Sequence, residues 1–170
     1  MDLRQVIRAV PDFPKPGILF RDITPVLARP QAFQAALAGL EDLLAPVAFD
    51  TFAAVESRGF LFAAPLAARA GKPLVILRKP GKLPAATVAE SYALEYGEAT
   101  LHIHADALRA GERVVVLDDL LATGGTAAAA GRLVRKLGAA VAAYVFLVEL
   151  GELGGRATLA DAPVFSLVKY

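Results

Sequence analysis

Asp118 and Asp119 directly follow Val114-Val115-Val116-Leu117 and precede Leu120-Leu121-Ala122-Thr123-Gly124-Gly125-Thr126. Paired carboxylates can accept hydrogen bonds from sugar hydroxyls or hold a hydrated divalent cation. Gly124 and Gly125 permit backbone angles closed to other residues, so successive N–H groups can converge on one anion. Thr123 and Thr126 add hydroxyl donors. Ala127-Ala128-Ala129-Ala130 then starts a strong helix former, whose amino-terminal N–H groups and partial positive charge favour a phosphate. Each part alone has a plainer reading, with the acids opening a turn and the glycines shaping it. A turn, however, has no need of two acids, two threonines and a helix start in one run. The combination suits a phosphorylated sugar. No Gly-x-x-x-x-Gly-Lys-Ser/Thr occurs, and no Gly-x-Gly-x-x-Gly follows a strand, which argues against nucleotide hydrolysis and dinucleotide binding.

The elements that must position these residues are readable from periodicity. Four apolar residues, three of them β-branched, predict a strand covered on both faces and ended by the acid pair, as in parallel sheets. Open α/β sheets bind ligands at the carboxyl ends of such strands. That strand is predicted over 113–117, and further strands over 52–55, 74–77, 100–104, 141–148 and 164–168. Helices are predicted over 31–44, 60–70 and 127–137, the last stopped by Gly138. Leu3, Val6, Ile7 and Val10 have helical spacing, with Pro11 as the stop and an irregular proline-rich segment after it. Residues 79–97 show no lasting periodicity and read as a lid loop. His102 and His104 share one face of a half-exposed strand; they read as polar surface and are assigned no chemistry. The expected fold is α/β: a mostly parallel central sheet flanked by helices with right-handed crossovers, residues 1–170 forming one domain.

Composition narrows the function classes. The chain has 170 residues, 56% hydrophobic, and a formal charge of +1. That balance gives no surface-wide field for nucleic acid. No apolar run approaches the roughly 20 residues of a membrane span, and Met1 to Gln5 lack the core of a secretory signal, so a cytoplasmic protein is expected. With no cysteine and two histidines, any metal should be an oxygen-bound ion such as Mg²⁺. Arg78, Lys79 and Lys82 crowd beside prolines and a glycine, a group that composition alone reads as a solvated loop.

The run from Val114 to Thr126 resembles the phosphoribosyl pyrophosphate signature of type I phosphoribosyltransferases, in the form found in adenine phosphoribosyltransferases. Asp12-Phe13-Pro14-Lys15-Pro16-Gly17-Ile18-Leu19-Phe20-Arg21-Asp22-Ile23-Thr24-Pro25-Val26-Leu27 is similar to that family's base-binding segment, here within residues 1–30. Glu56-Ser57-Arg58-Gly59-Phe60-Leu61-Phe62, Arg78-Lys79-Pro80-Gly81-Lys82-Leu83-Pro84 and Ser91-Tyr92-Ala93-Leu94-Glu95-Tyr96-Gly97 also match, in the family's order.

The resemblance implies transfer of ribose 5-phosphate from phosphoribosyl pyrophosphate to adenine, yielding AMP and pyrophosphate, in a homodimer using Mg²⁺. Asp118 and Asp119 would bind the ribose hydroxyls and reach the metal directly or through water. Ala122, Thr123, Gly124, Gly125 and Thr126 would hold the 5-phosphate. Ser57 and Arg58 would bind pyrophosphate on a turn carrying a cis peptide between Glu56 and Ser57, with Gly59 allowing close backbone approach. Arg78, Lys79 and Lys82 would meet the polyanion. Phe20 would stack on the base while the backbone of Leu19 and Arg21 reads its edge; without the resemblance, Phe20 reads as core. Glu95 would donate a proton to the base beside Tyr96, although a solvated glutamate is nearly as good a reading of that residue alone. Ala63 and the alanine-rich stretch 84–90 depart from the family's usual pattern. Alternatives are a transferase for another purine, disfavoured by residues 13–27, and a phosphoribosyl pyrophosphate sensor that binds nucleic acid, disfavoured by the charge.

Overall fold

The computed structural model describes residues 1–93 and 97–170. Its centre is a five-stranded parallel sheet built from β3 (Thr51–Val55), β4 (Leu74–Leu77), β7 (Arg113–Leu121), β8 (Ala140–Glu149) and β9 (Val164–Lys169), in the order β4-β3-β7-β8-β9. β3 is buried throughout, and β7 is buried from Val114 to Leu117, which explains their continuous apolar runs. Helices α2 (Pro30–Leu44) and α3 (Gly59–Ala70) cover one face, where Leu37, Leu40, Phe62 and Leu66 join Val115, Leu117 and Val145. Helix α4 (Gly125–Lys136) covers the other, its Ala129, Ala130, Leu133 and Val134 packing with Val114, Val116 and Phe146. The alternation along β7 thus feeds two cores. Gly138, at φ +81°, follows α4 as its sequence position suggests.

Three expectations change. The helix proposed for residues 3–10 is a single 3-10 turn, Leu3–Gln5, followed by β1 (Arg8–Pro11), which pairs antiparallel with β2 (Leu19–Asp22). So short a segment gains little from helical bonds of its own, and pairing with β2 decides its conformation. A short helix, α1 (Thr24–Ala28), then leads into α2.

The second change concerns residues 79–97, which are not irregular throughout. β5 (Thr87–Ala93) and β6 (Glu98–His104) form an antiparallel pair lying against α4. Val88 and Tyr92 pack inward, but Ala89 and Ala93 on the opposite face blur the alternation in the sequence. On β6, Leu101 and Ile103 are buried while His102 and His104 are half-buried rather than surface. His102 Nδ1 lies 3.0 Å from the Thr87 hydroxyl.

Third, the acid pair lies within β7 rather than at its end. The strand continues to Leu121 because Leu120 and Leu121 remain paired with Val148 and Glu149 of β8.

Candidate active site

The chain leaves β3 toward β4 on one side and leaves β7 toward β8 on the other. The carboxyl ends of β3 and β7 therefore flank the point where sheet order reverses, the place where open α/β sheets leave a crevice. Glu56, Ser57 and Arg58 join β3 to α3, and the Glu56–Ser57 peptide is cis, as the resemblance implied. A Cβ on Gly59 would sit 2.9 Å from the Leu117 carbonyl oxygen and 3.1 Å from Asp118 Oδ1. The close approach expected of Gly59 is thus to the acid-bearing strand itself.

That approach brings the cationic turn onto the acids. Arg58 Nε is 2.9 Å from Asp119 Oδ2, and the Asp119 N–H donates to Asp118 Oδ1 at 2.8 Å. Asp119 is buried; Asp118 opens onto a cavity, yet its carboxyl is packed among protein atoms. Burial pushes the Asp118 carboxyl well above the usual carboxylate range, and the charge of Asp119 adds to the shift. Burial also raises Asp119, with Arg58 opposing. Two acids share one guanidinium. Among the described residues no cluster of three or more His, Cys, Asp or Glu forms a protein-only metal cage. The donor set fits an ion such as Mg²⁺, which takes one or two carboxylates and keeps its remaining places for water and phosphate oxygens.

The loop after β7 is shaped by a partner distant in sequence. Gly124 has φ +84°, and a Cβ there would lie 2.6 Å from the Gly155 carbonyl oxygen. A Cβ on Gly155 would in turn lie 2.1 Å from the Ala122 carbonyl oxygen. The Thr158 hydroxyl donates to the Thr123 carbonyl at 3.0 Å. Only Gly124 of the glycine pair takes left-handed angles, since Gly125 is the first residue of α4. The sequence signal for the supporting wall was Gly154-Gly155 followed by Thr158, which sequence reasoning passed over.

Two cavities meet at these residues. The larger, about 520 Å³, is lined by Val55, Glu56, Ser57, Arg58, Lys79, Pro80, Tyr92, Glu98, Ala99, Thr100, Leu101, Asp118, Asp119 and Thr126. The smaller, about 220 Å³, is lined by Arg58, Asp118, Asp119 and residues 120–127. Arg58, Asp118, Asp119 and Thr126 belong to both.

The basic segment is divided. Lys79 lines the larger cavity, but Arg78 is turned to Glu56, with Nε 3.2 Å from Oε2, and to the Lys82 carbonyl at 3.2 Å. Lys82 is exposed and lines neither cavity. Leu19, Phe20 and Arg21 also lie off both walls, although the Arg58 guanidinium stands 5.6 Å from the Phe20 ring centre. Arg21 stacks on Tyr170 at 3.7 Å. Glu95 and Tyr96 fall outside the described residues. Tyr92, given no role from sequence, lines the larger cavity and receives a hydrogen bond from Thr126.

A crevice that joins an acid pair to a phosphate-sized loop suits a phosphorylated sugar, and similarity to known proteins agrees. The phosphoribosyl transferase domain family matches residues 27–163. An adenine phosphoribosyltransferase from Gluconacetobacter diazotrophicus is 59% identical over 170 residues, covering 100% of this chain and 96% of its own. The crystal structure of adenine phosphoribosyltransferase from Thermoanaerobacter pseudethanolicus has a TM-score of 0.97 at 51% identity, covering 99% of this chain and 98% of that one. The Saccharomyces cerevisiae enzyme, complexed with an imino-altritol bisphosphate and adenine, has a TM-score of 0.91 at 41% identity and covers 98% of this chain and 96% of that one. The chain belongs to the phosphoribosyl transferase family. Within it, the chain is one of the adenine phosphoribosyltransferases, pentosyltransferases of purine salvage.

Proposed function

We propose that this chain transfers the 5-phosphoribosyl group of phosphoribosyl pyrophosphate to adenine across the wall shared by the two cavities, releasing AMP and pyrophosphate. The observation that carries the reading is this sharing: Asp118, Asp119, Arg58 and Thr126 line both the small cavity beside the glycine loop and the larger one beside Ser57 and Lys79. A sugar at the common wall would have its 5-phosphate on one side and its leaving group on the other.

In this reading, Ala122, Thr123, Gly124, Gly125 and Thr126 hold the 5-phosphate through backbone N–H groups and threonine hydroxyls at the start of α4. Asp118 and Asp119 bind the 2′- and 3′-hydroxyls. Their charge also stabilises the oxocarbenium-like sugar formed as the bond from the anomeric carbon to pyrophosphate breaks. Ser57, Arg58 and Lys79 take the pyrophosphate, with Arg78 steadied by Glu56 and Lys82 nearby on the loop. Mg²⁺, when bound at Asp118 and Asp119 directly or through water, supplies positive charge to the leaving group. Phe20 stacks on adenine, the backbone of Leu19 and Arg21 reads its edge, and Glu95 beside Tyr96 supplies a proton to the base. Residues 1–30 serve as the base-binding segment and 79–97 as the lid of a single domain. The enzyme works in the cytoplasm as a homodimer; Leu61, 44% exposed on α3 just beyond Arg58, is apolar surface that a second subunit would cover. No helix among the described residues is long and apolar enough to cross a membrane.

The test is turnover of the purified protein with phosphoribosyl pyrophosphate, Mg²⁺ and each purine in turn, alongside light scattering at assay concentration. Adenine should give AMP faster than guanine or hypoxanthine gives its nucleotide. Equal turnover of another purine would remove the adenine assignment, and a fully active monomer would remove the dimer.

A further inference from the structure

Tyr92 is the place where the β5–β6 hairpin meets the glycine loop. The Thr126 hydroxyl donates to Tyr92 Oη at 3.2 Å, and the Tyr92 ring lies against the first residue of α4, with Cδ2 3.5 Å from where a Gly125 Cβ would stand. Two residues earlier on the same face of β5, Glu90 is paired with Arg132 and Lys136 of α4, and Lys136 Nζ also donates to the Ala89 carbonyl at 2.9 Å. The Glu90 end of the strand is thereby fastened to the body of α4, while Tyr92 touches its amino terminus.

A threonine hydroxyl has one hydrogen to give. Here Thr126 gives it to Tyr92. A phosphate in the small cavity, being an anion without donors of its own when fully ionised, would draw that hydrogen to itself. The Tyr92 hydroxyl would then turn from acceptor to donor, giving its own hydrogen to Thr126 Oγ1. Reversal keeps the contact and strengthens it, because a hydroxyl that donates to an anion becomes a better acceptor for the next donor in the chain.

We infer that Tyr92 is a positioning residue that couples occupancy of the 5-phosphate cradle to the hairpin strand leading to Glu95. The inference rests on the proposed assignment of the Ala122 to Thr126 loop to the 5-phosphate. It gives the hairpin a preference for the sugar phosphate that neither adenine nor free pyrophosphate would elicit.

Tyr92→Phe keeps the ring against α4 and removes only the hydroxyl. The KM for phosphoribosyl pyrophosphate and the Kd for ribose 5-phosphate should each rise about 3- to 10-fold, the range of one uncharged hydrogen bond. The KM for adenine and the Kd for pyrophosphate, the latter measured by calorimetry, should stay within about twofold on the same scale. Thr126→Val should abolish the further effect of Tyr92→Phe on ribose 5-phosphate binding, since the two hydroxyls act as one path. Unchanged ribose 5-phosphate binding in Tyr92→Phe, a comparable loss for all four ligands, or additive losses in the double variant would overturn the coupling. If wild-type protein binds ribose 5-phosphate in this Tyr92-dependent way but forms no AMP, the coupling stands and the adenine-transfer reading falls.

Discussion

Two acidic centres stand on neighbouring strands, one within β7 and one at the end of β8, and their charges are compensated to different degrees. On β7, the Asp119 side chain is 6% exposed and paired with Arg58, which is 40% exposed; on β8, Glu149 is 8% exposed and paired with Arg156, also 40% exposed. Side-chain exposure therefore does not separate them. The balance of burial against cations does: burial leads the rise at Asp118 and Asp119, whereas at Glu149 the bonds from Arg156 outweigh it. Glu149 accepts two bonds from Arg156, at 3.0 and 2.6 Å, with Lys169 at 3.9 Å, and these cations hold its carboxyl below the usual range. Asp118 and Asp119 divide a single guanidinium, and both are pushed upward. A compensated acid braces the fold: Arg156 follows Gly155, the residue packed against the Ala122 carbonyl. An undercompensated pair is poised to take positive charge from a ligand, a perturbation typical of functional sites.

The largest effect that would test this contrast is on activity. Asp118→Asn and Asp119→Asn should each lower kcat/KM by about 10- to 150-fold, corresponding to about 1.5–3 kcal/mol for an interaction with a charged group. The Asp118→Asn protein should nevertheless melt no lower than wild type at neutral pH, since the amide replaces a buried carboxyl whose charged form the fold does not compensate. Steady-state kinetics and calorimetric melting on the same preparations check both. A double variant with unchanged catalytic efficiency would end the distinction between the two centres.

Glu149→Gln should show the reverse pattern. Removing that charge leaves Arg156 and Lys169 without their carboxylate. Because both cations are partly exposed, the cost should be about 1–2 kcal/mol rather than that of a fully buried pair. The melting temperature should fall by roughly 2–8 °C for a chain of this size, while kcat/KM stays within a few-fold. A loss of activity matching that of Asp118→Asn would mean that both centres serve the reaction.

The contrast was half legible in the sequence. The acid pair and its loop stood out because strand, acids, threonines and glycines are contiguous between Val114 and Thr126. Glu149 did not, because its partners Arg156 and Lys169 come from separate elements and only the parallel pairing of β8 with β9 brings Lys169 alongside. Long-range packing hid Gly155 and Tyr92 in the same way: each meets the glycine loop from more than twenty-five residues away in sequence. The main strands and helices were readable because β-branched runs and leucine-alanine spacing agree with burial. The segment of Leu3 to Val10 misled because its apolar spacing fits either a helix or a turn followed by a paired strand. Hairpin pairing lay concealed behind alanines that carry little contrast between faces.

The smallest expected effect is the pH dependence of stability without substrate, where the two centres should act with opposite sign. The folded-state values of Asp118 and Asp119 lie above their unfolded values, so the native state binds the extra protons. Their contribution is present at low pH and is lost as pH rises from the unfolded value, about 3.9, through the folded one. Glu149 is lowered, so its contribution is present above its unfolded value of about 4.3 and is lost as pH falls through its folded value. Denaturant midpoints from about pH 2 to pH 8, a range that extends below the unfolded carboxylate values, should therefore show Asp118→Asn most stable relative to wild type at the alkaline end, with the gap closing as pH falls. Glu149→Gln should be least stable relative to wild type at the alkaline end, and its gap should close only at the acidic limit. Parallel stability curves for wild type and Asp118→Asn would mean that the β7 acids are as well compensated as Glu149, and the electrostatic contrast between the two strands would fail.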